Sequence, residues 1–145
     1  LSGGILLSCN ASAPALAYLG DAVITLFARR FLLSLGIENP AVCSEESLLF
    51  VTATAQSAAY ENIKDTLTQK EADVYRLGRN AKVTTPKSST PIEYHRATGF
   101  EAIFGYLDAI GDTARANELF SLAYSGVMDS IRTRHAVSSE TNEAL

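Results

Sequence analysis

The chain has 145 residues, 47% of them apolar, which suits one domain with a sizeable core and excludes a disordered chain. No apolar run approaches the ~18 residues of a membrane span, and the opening residues lack the basic segment of a secretory leader. The net charge of −4 argues against a general polyanion binder, and Cys9 and Cys43, without metal-ligand spacing, suit reduced thiols of a cytoplasmic protein.

Residues 1–11 read as a loose arm. Ser12 is placed to cap a first helix with Pro14 in its opening turn, running to about Leu35 with Gly36 as its stop. Leu16, Leu19, Val23, Leu26 and Phe27 form its apolar stripe, and the period-2 alternation of a strand is absent. Asp21 is the one carboxylate in this apolar run. A lone acid there is costly to bury unless it is paired or holds a cation.

Pro40 marks a turn, and Ser44 caps a second helix through Leu48, Val51, Ala55, Ala58 and Ala59 to about Lys64. Gln56 lies on or near that face and reads first as a core amide bonded to backbone. Thr68 and Glu71 have capping-box spacing and open a third helix, with Val74 and Leu77 facing inward. The polar loop 82–90 follows. Thr90 caps a fourth helix with Pro91 at its first position, running to about Ile110 and lined by Ala97, Phe100, Phe104 and Leu107. It carries Glu101 among aromatics, with Gly105 four residues on permitting close approach of another backbone or of substrate. A fifth helix over 113–134 buries Leu119, Leu122, Ala123 and Val127, and residues 135–145 read as a polar tail. The expected fold is all-α, with about five principal helices in one domain over residues 12–134.

Charge is unevenly spread. Between Arg76 and Arg96 stand five basic residues and one acid, Glu93, a local excess of +4 on a body of −8. A basic stripe on an acidic body can still track phosphates, although a solvated surface loop has the same composition. Two helices, each with one acid on an apolar stretch, are suited to bringing Asp21 and Glu101 together around a hard cation. Read singly, each acid is equally a structural carboxylate bonded to backbone or to a tyrosine such as Tyr18. Phe100, Phe104 and Tyr106 read as core or partner contacts, and His95 as a partly exposed helix residue.

Leu-Gly-Asp-Ala-Val (19–23), Gly-Arg-Asn-Ala-Lys (78–82) before Pro86-Lys87, and Thr-Gly-Phe-Glu-Ala (98–102) occur in that order. Together they resemble mini-ribonuclease III, the short ribonuclease III family that has the catalytic domain without a double-stranded-RNA-binding domain. The resemblance covers about residues 11–125. It implies a ribonuclease III-like helical domain and a homodimeric, metal-dependent endoribonuclease acting on double-stranded RNA. It further implies a role in maturing the large-subunit ribosomal RNA precursor, with a ribosomal protein as helper. Asp21 and Glu101 match the family's catalytic acids and would hold Mg²⁺, with Mn²⁺ as a substitute. Arg76, Arg79, Asn80, Lys82, Lys87 and Arg96 would contact the RNA, and water attacking in line would leave 5′-phosphate and 3′-hydroxyl ends.

The sequence also departs from the pattern. Full-length ribonuclease III uses four acids, whereas Ala17 and Thr98 stand at two of those positions here, a reduction shared with the mini enzymes. Ser44, Glu45 and Glu46 stand where relatives tend to carry a histidine and basic residues, which weakens the expected RNA-facing charge. Asp108, on nearly the same face as Glu101, is an extra acid read as a surface residue. Two further classes fit the same chain: a catalytically silent module that binds double-stranded RNA, and a helical protein-interaction domain.

Overall fold

The computed structural model describes residues 11–82 and 90–143. Among these the chain is all helical: α1 (Ala13–Ser34), α2 (Pro40–Val51), α3 (Ala53–Glu61), a 3-10 turn at Lys64–Thr66, α4 (Gln69–Arg79), α5 (Pro91–Ala109), α6 (Thr113–Ala123) and α7 (Ser125–Glu143). The expected arm, apart from Ala11, and Lys87 lie outside the described residues.

The caps follow local chemistry. The Ser12 hydroxyl accepts from the Ala15 amide, and the Thr68–Glu71 capping box is complete in both directions. Thr90 accepts from the Glu93 amide ahead of α5, with Pro91 at the first helical position, where the missing N–H is no loss. Helices α1 and α5 each end on a glycine at positive φ, Gly36 (80°) and Gly111 (76°). In both, a bond from the following residue, Ile37 to Leu32 and Asp112 to Leu107, closes the last turn.

Two expected long helices are each divided. Asn39, not Ser44, caps α2, its side chain accepting from the Ala41 and Val42 amides, so Pro40 is a first helical residue and not only a turn. Thr52, in extended conformation (ψ 154°), ends α2 and caps α3. That break resets the helical phase: Phe50 and Ala59 reach the core, while Leu48 and Ala58, expected inside, are exposed. A second break at Tyr124 separates α6 from α7. It leaves Leu122 exposed and places Tyr124 in the core, where its hydroxyl donates to the Phe50 carbonyl at 2.7 Å. Leu26 and Leu77 also face outward, beyond the side of α1 and α4 that neighbouring helices cover. Helix α7 continues past residue 134 to Glu143, where a polar tail was expected to begin.

The core sits between α1, α2, α5, α6 and the start of α7. Phe27, Phe50, Phe100, Phe104, Phe120 and Tyr124 pack ring against ring, each such burial contributing roughly 1.5–3 kcal/mol. Helix α5 is central, lying against α1, α3 and α4. A partly buried ion pair ties α4 to α6: Arg115 donates through Nε and Nη2 to both Glu71 oxygens at 2.9 Å, and through Nη2 to the Thr66 carbonyl at 2.8 Å.

Candidate active site

Helices α1 and α5 cross at Gly20 and Gly105. A Cβ on Gly20 would strike the Glu101 carbonyl, and one on Gly105 would strike the Leu16 carbonyl, so the two backbones touch directly. This answers the open question about Gly105: what it admits is the α1 backbone. Asp21 follows Gly20, and Glu101 lies one turn before Gly105. The crossing therefore brings together the two acids singled out in the sequence. Asp21 is exposed, which corrects the expectation of a buried acid, and Tyr18 at 85% exposure does not shelter it. The helix satisfies its own polar groups around Asp21, the Thr25 hydroxyl donating to the Asp21 carbonyl at 2.8 Å. The Asp21 carboxylate is left facing the opening.

Glu101 is the half-buried member of the pair. Burial and the neighbouring Asp21 carboxylate push its pKa up to about 9, so at neutral pH it retains its proton. Its charge in turn adds to the effect of burial in raising the Tyr124 phenol. The third member is Gln56, from the first turn of α3, only 1% exposed. Its amide lies close enough to Glu101 to favour the ionised carboxylate, yet its buried Nε2 completes no hydrogen bond of regular length and angle.

Two adjacent carboxylates and an amide are hard oxygen donors suited to Mg²⁺ or Mn²⁺. A cation held by the acids would offset both the burial and the neighbouring charge that raise Glu101, so the donor set fits such an ion. Among the described residues no cluster of three or more His, Cys, Asp or Glu side chains could hold a metal. The positions that could have widened the set are committed to packing. Ala17 is buried with Leu16, Val74 and Ala102, and Thr98 is buried with its hydroxyl donating to the Tyr94 carbonyl at 3.0 Å. Asp108 is exposed near the end of α5.

From Asp21 a cleft of about 600 Å³ runs between α1 and α2, past Thr25 and Arg29 on one wall and Ser44 and Ser47 on the other. The basic residues lie on other elements. Arg76 pairs with Asp73 at 2.8 Å and Arg96 with Glu61 at 3.3 Å. Arg79 donates to the Asn80 side chain at 3.2 Å and lies 5.7 Å from the centre of the Tyr75 ring, which stacks on Tyr60 at 3.8 Å. Asn80 is the C-cap of α4, and Lys82 is exposed just beyond it. Of the two acids on α2, Glu46 is half-buried and bonded to Arg134 of α7 at 2.6 Å, while Glu45 is exposed. The Cys43 thiol is free and donates to the Ile37 carbonyl at 3.3 Å. Phe100 and Phe104 are wholly buried core residues, and His95 is partly buried with its Nδ1 unpartnered.

Gln56 and Arg29 are the residues that sequence reasoning placed elsewhere or passed over. Gln56 was read as bonded to backbone. Its one available signal was a long amide in an otherwise small-residue helix, Ala-Thr-Ala-Gln-Ser-Ala-Ala (53–59). Arg29 stands two i+4 steps after Asp21 on the same face of α1, a spacing visible in the sequence.

The Ribonuclease III domain model matches residues 14–108, a span that contains both acids. The chain is 44% identical over 109 residues to the Mini-ribonuclease 3 of Symbiobacterium thermophilum, covering 74% of this chain and 84% of that protein. It is 37% identical to the Mini-ribonuclease 3 of a Thermoanaerobacter species, covering 74% and 77% respectively. An X-ray crystal structure of a Fusobacterium nucleatum protein is similar with a TM-score of 0.75 at 28% identity, covering 82% of this chain and 92% of that one.

Proposed function

Because the chain belongs to the mini-ribonuclease 3 family, within the ribonuclease III domain family, and is thus an endoribonuclease, we propose that it cleaves double-stranded RNA with a divalent cation held by Asp21 and Glu101. The observation that carries this reading is the convergence of the two carboxylates at the Gly20–Gly105 crossing, one solvent-facing and one kept protonated by burial and by its neighbour. Mg²⁺, or Mn²⁺ in its place, supplies activation of water and neutralisation of charge at phosphorus. Asp21 binds from the exposed side. Glu101 would complete the pair from the more enclosed side. With only two acids, phosphate oxygens of the RNA and water would supply the further oxygen donors that such an ion takes.

Arg76, Arg79, Lys82, Lys87 and Arg96 hold backbone phosphates, and Asn80 supports Arg79. Such contacts fix register without reading sequence, in keeping with the shape recognition of A-form RNA. The surface pairs to Asp73 and Glu61 do not stand in the way, since exposed ion pairs contribute about 0–1 kcal/mol. The products carry 5′-phosphate and 3′-hydroxyl ends. Residues 12–134 form the catalytic domain, and residues 1–11 and 135–145 flank it.

The reading extends to a homodimer, one site per strand of a duplex. Exposed apolar side chains, Tyr18 beside the site, Leu77 and Ile92, support it. The substrate it favours is the large-subunit ribosomal RNA precursor in the cytoplasm, with a ribosomal protein as helper. No helix among the described residues is long and apolar enough to cross a membrane. The test is incubation with long double-stranded RNA, with Mg²⁺ or with chelator, beside Glu101→Gln. Cutting that needs the metal and vanishes in the variant is expected. RNA binding without any cutting would mark a silent binding module, and no binding at low salt a protein-interaction domain.

A further inference from the structure

A buried side-chain amide without a hydrogen-bond partner is uncommon, because leaving the donor unpaired costs more than a made bond contributes. Gln56 Nε2 is such a group, on a residue 1% exposed. Its place is fixed by backbone: Thr52 caps α3 through Ala55, and the Gln56 amide N–H bonds the Thr52 carbonyl at 2.9 Å. Helix α3 packs on α5, which carries Glu101. The amide stands beside Glu101, the less exposed acid of the pair. The Nε2 completes no hydrogen bond of regular length and angle, although the carboxylate beside it is a strong acceptor.

We propose that Gln56 is a positioning residue for the metal site: when a divalent cation binds at the acid pair, Glu101 takes up the waiting Gln56 N–H. That bond aims one carboxylate oxygen at the cation and leaves the other satisfied in the protein interior. The α3 amide thereby does part of the work of an additional acid, without adding a third negative charge. This inference rests on the metal-dependent reading above.

The test measures Mn²⁺ binding to the full chain without RNA, from the paramagnetic signal of the free ion, for wild type, Glu101→Gln and Gln56→Met. Methionine keeps the length of the side chain and removes the donor. Wild type is expected to bind and Glu101→Gln to lose binding. Gln56→Met is expected to bind roughly 10–100-fold more weakly. Its metal-free melting midpoint should be unchanged or higher, since an unpaired buried N–H has been deleted. Equal affinity in Gln56→Met overturns the proposal, and so does a lowered metal-free midpoint, which marks an ordinary structural amide. Absence of binding by wild type overturns the metal-dependent reading and this proposal together. A second measurement needs no variant at this position. The Gln56 side-chain NH₂ resonances of wild type should shift with added Mg²⁺, in step with binding, and stay fixed in Glu101→Gln. Resonances that ignore Mg²⁺ in a chain that binds it would remove Gln56 from the site.

Discussion

Gly20 and Gly105 lie backbone to backbone, and the separation of Asp21 from Glu101 is set by that contact. A methyl group on either glycine meets a carbonyl of the opposite helix and not a flexible side chain, so the helices must move apart. Gly20→Ala and Gly105→Ala are each expected to destabilise the chain by about 2 kcal/mol or more, offsetting the gain in helix propensity. Both should lose cleavage even at temperatures where circular dichroism shows them folded. A variant that melts like wild type and cuts at the wild-type rate would show that the crossing has room to spare.

Glu101 makes stability depend on pH. Its pKa of about 9 in the folded chain stands above the ordinary 4.5. A carboxyl raised by folding contributes fully below its unfolded value, and that contribution is lost as pH rises through the folded value. The metal-free protein should therefore weaken between about pH 4.5 and 9, by roughly 2 kcal/mol at pH 8 after allowance for partial exposure. Glu101→Gln should remove most of that slope and be the more stable protein at pH 8. Urea unfolding in chelator at pH 5, 7 and 8.5 measures it, and parallel profiles for the two proteins would contradict the raised value of Glu101.

Glu71 behaves in the opposite sense. Burial alone would raise its pKa, but the Arg115 guanidinium and the Thr68 amide outweigh burial and hold it below the ordinary value. Stability from this pair is present at neutral pH and is lost as pH falls through the lowered value. Glu71→Ala leaves Arg115 half-buried without its carboxylate and is expected to cost about 3 kcal/mol, with little relief from salt. Thermal melts at low and high ionic strength check it; a loss under 1 kcal/mol would mean that Glu118, also bonded to Arg115, suffices.

Lys82, exposed at the end of α4, is expected to meet a phosphate. Lys82→Ala should weaken RNA binding and reduce the slope of log K against log salt by about 0.8, the contribution of one contact. Cleavage at saturating RNA should change little. An unchanged salt slope would place Lys82 outside the interface.

What was legible in the sequence was local. Ser12, Thr68 with Glu71, and Thr90 with Pro91 act within one turn of themselves, and each starts a helix where the spacing said it would. The two acids were legible as exceptions in apolar runs. The breaks at Thr52 and Tyr124 were not: Thr52 has no glycine or proline near it, Gly126 alone follows Tyr124, and the apolar pattern continues across both. Tyr124 leaves the helix in favour of a core position bonded to Phe50, a partner 74 residues away that no local pattern encodes. The exposure of Asp21 was misjudged for a related reason. Apolar neighbours in sequence point around the whole circumference of α1, and only the packing of α5 decides which side is covered. Gln56 shows the same limit, since a core amide and a site amide look alike until the helix opposite is in place.

The order of the elements has a consequence for synthesis on the ribosome. Asp21 emerges early, on α1, while Glu101 and the glycine that seats it arrive about 80 residues later, on the helix against which α1, α3 and α4 all pack. Until α5 has left the exit tunnel and docked, a growing chain cannot hold the two acids side by side. Because α5 is also the central support, its amides should be among the last to exchange with solvent. Local fraying that spares α5 then leaves the acid pair together, whereas an opening that frees α5 takes the pair apart.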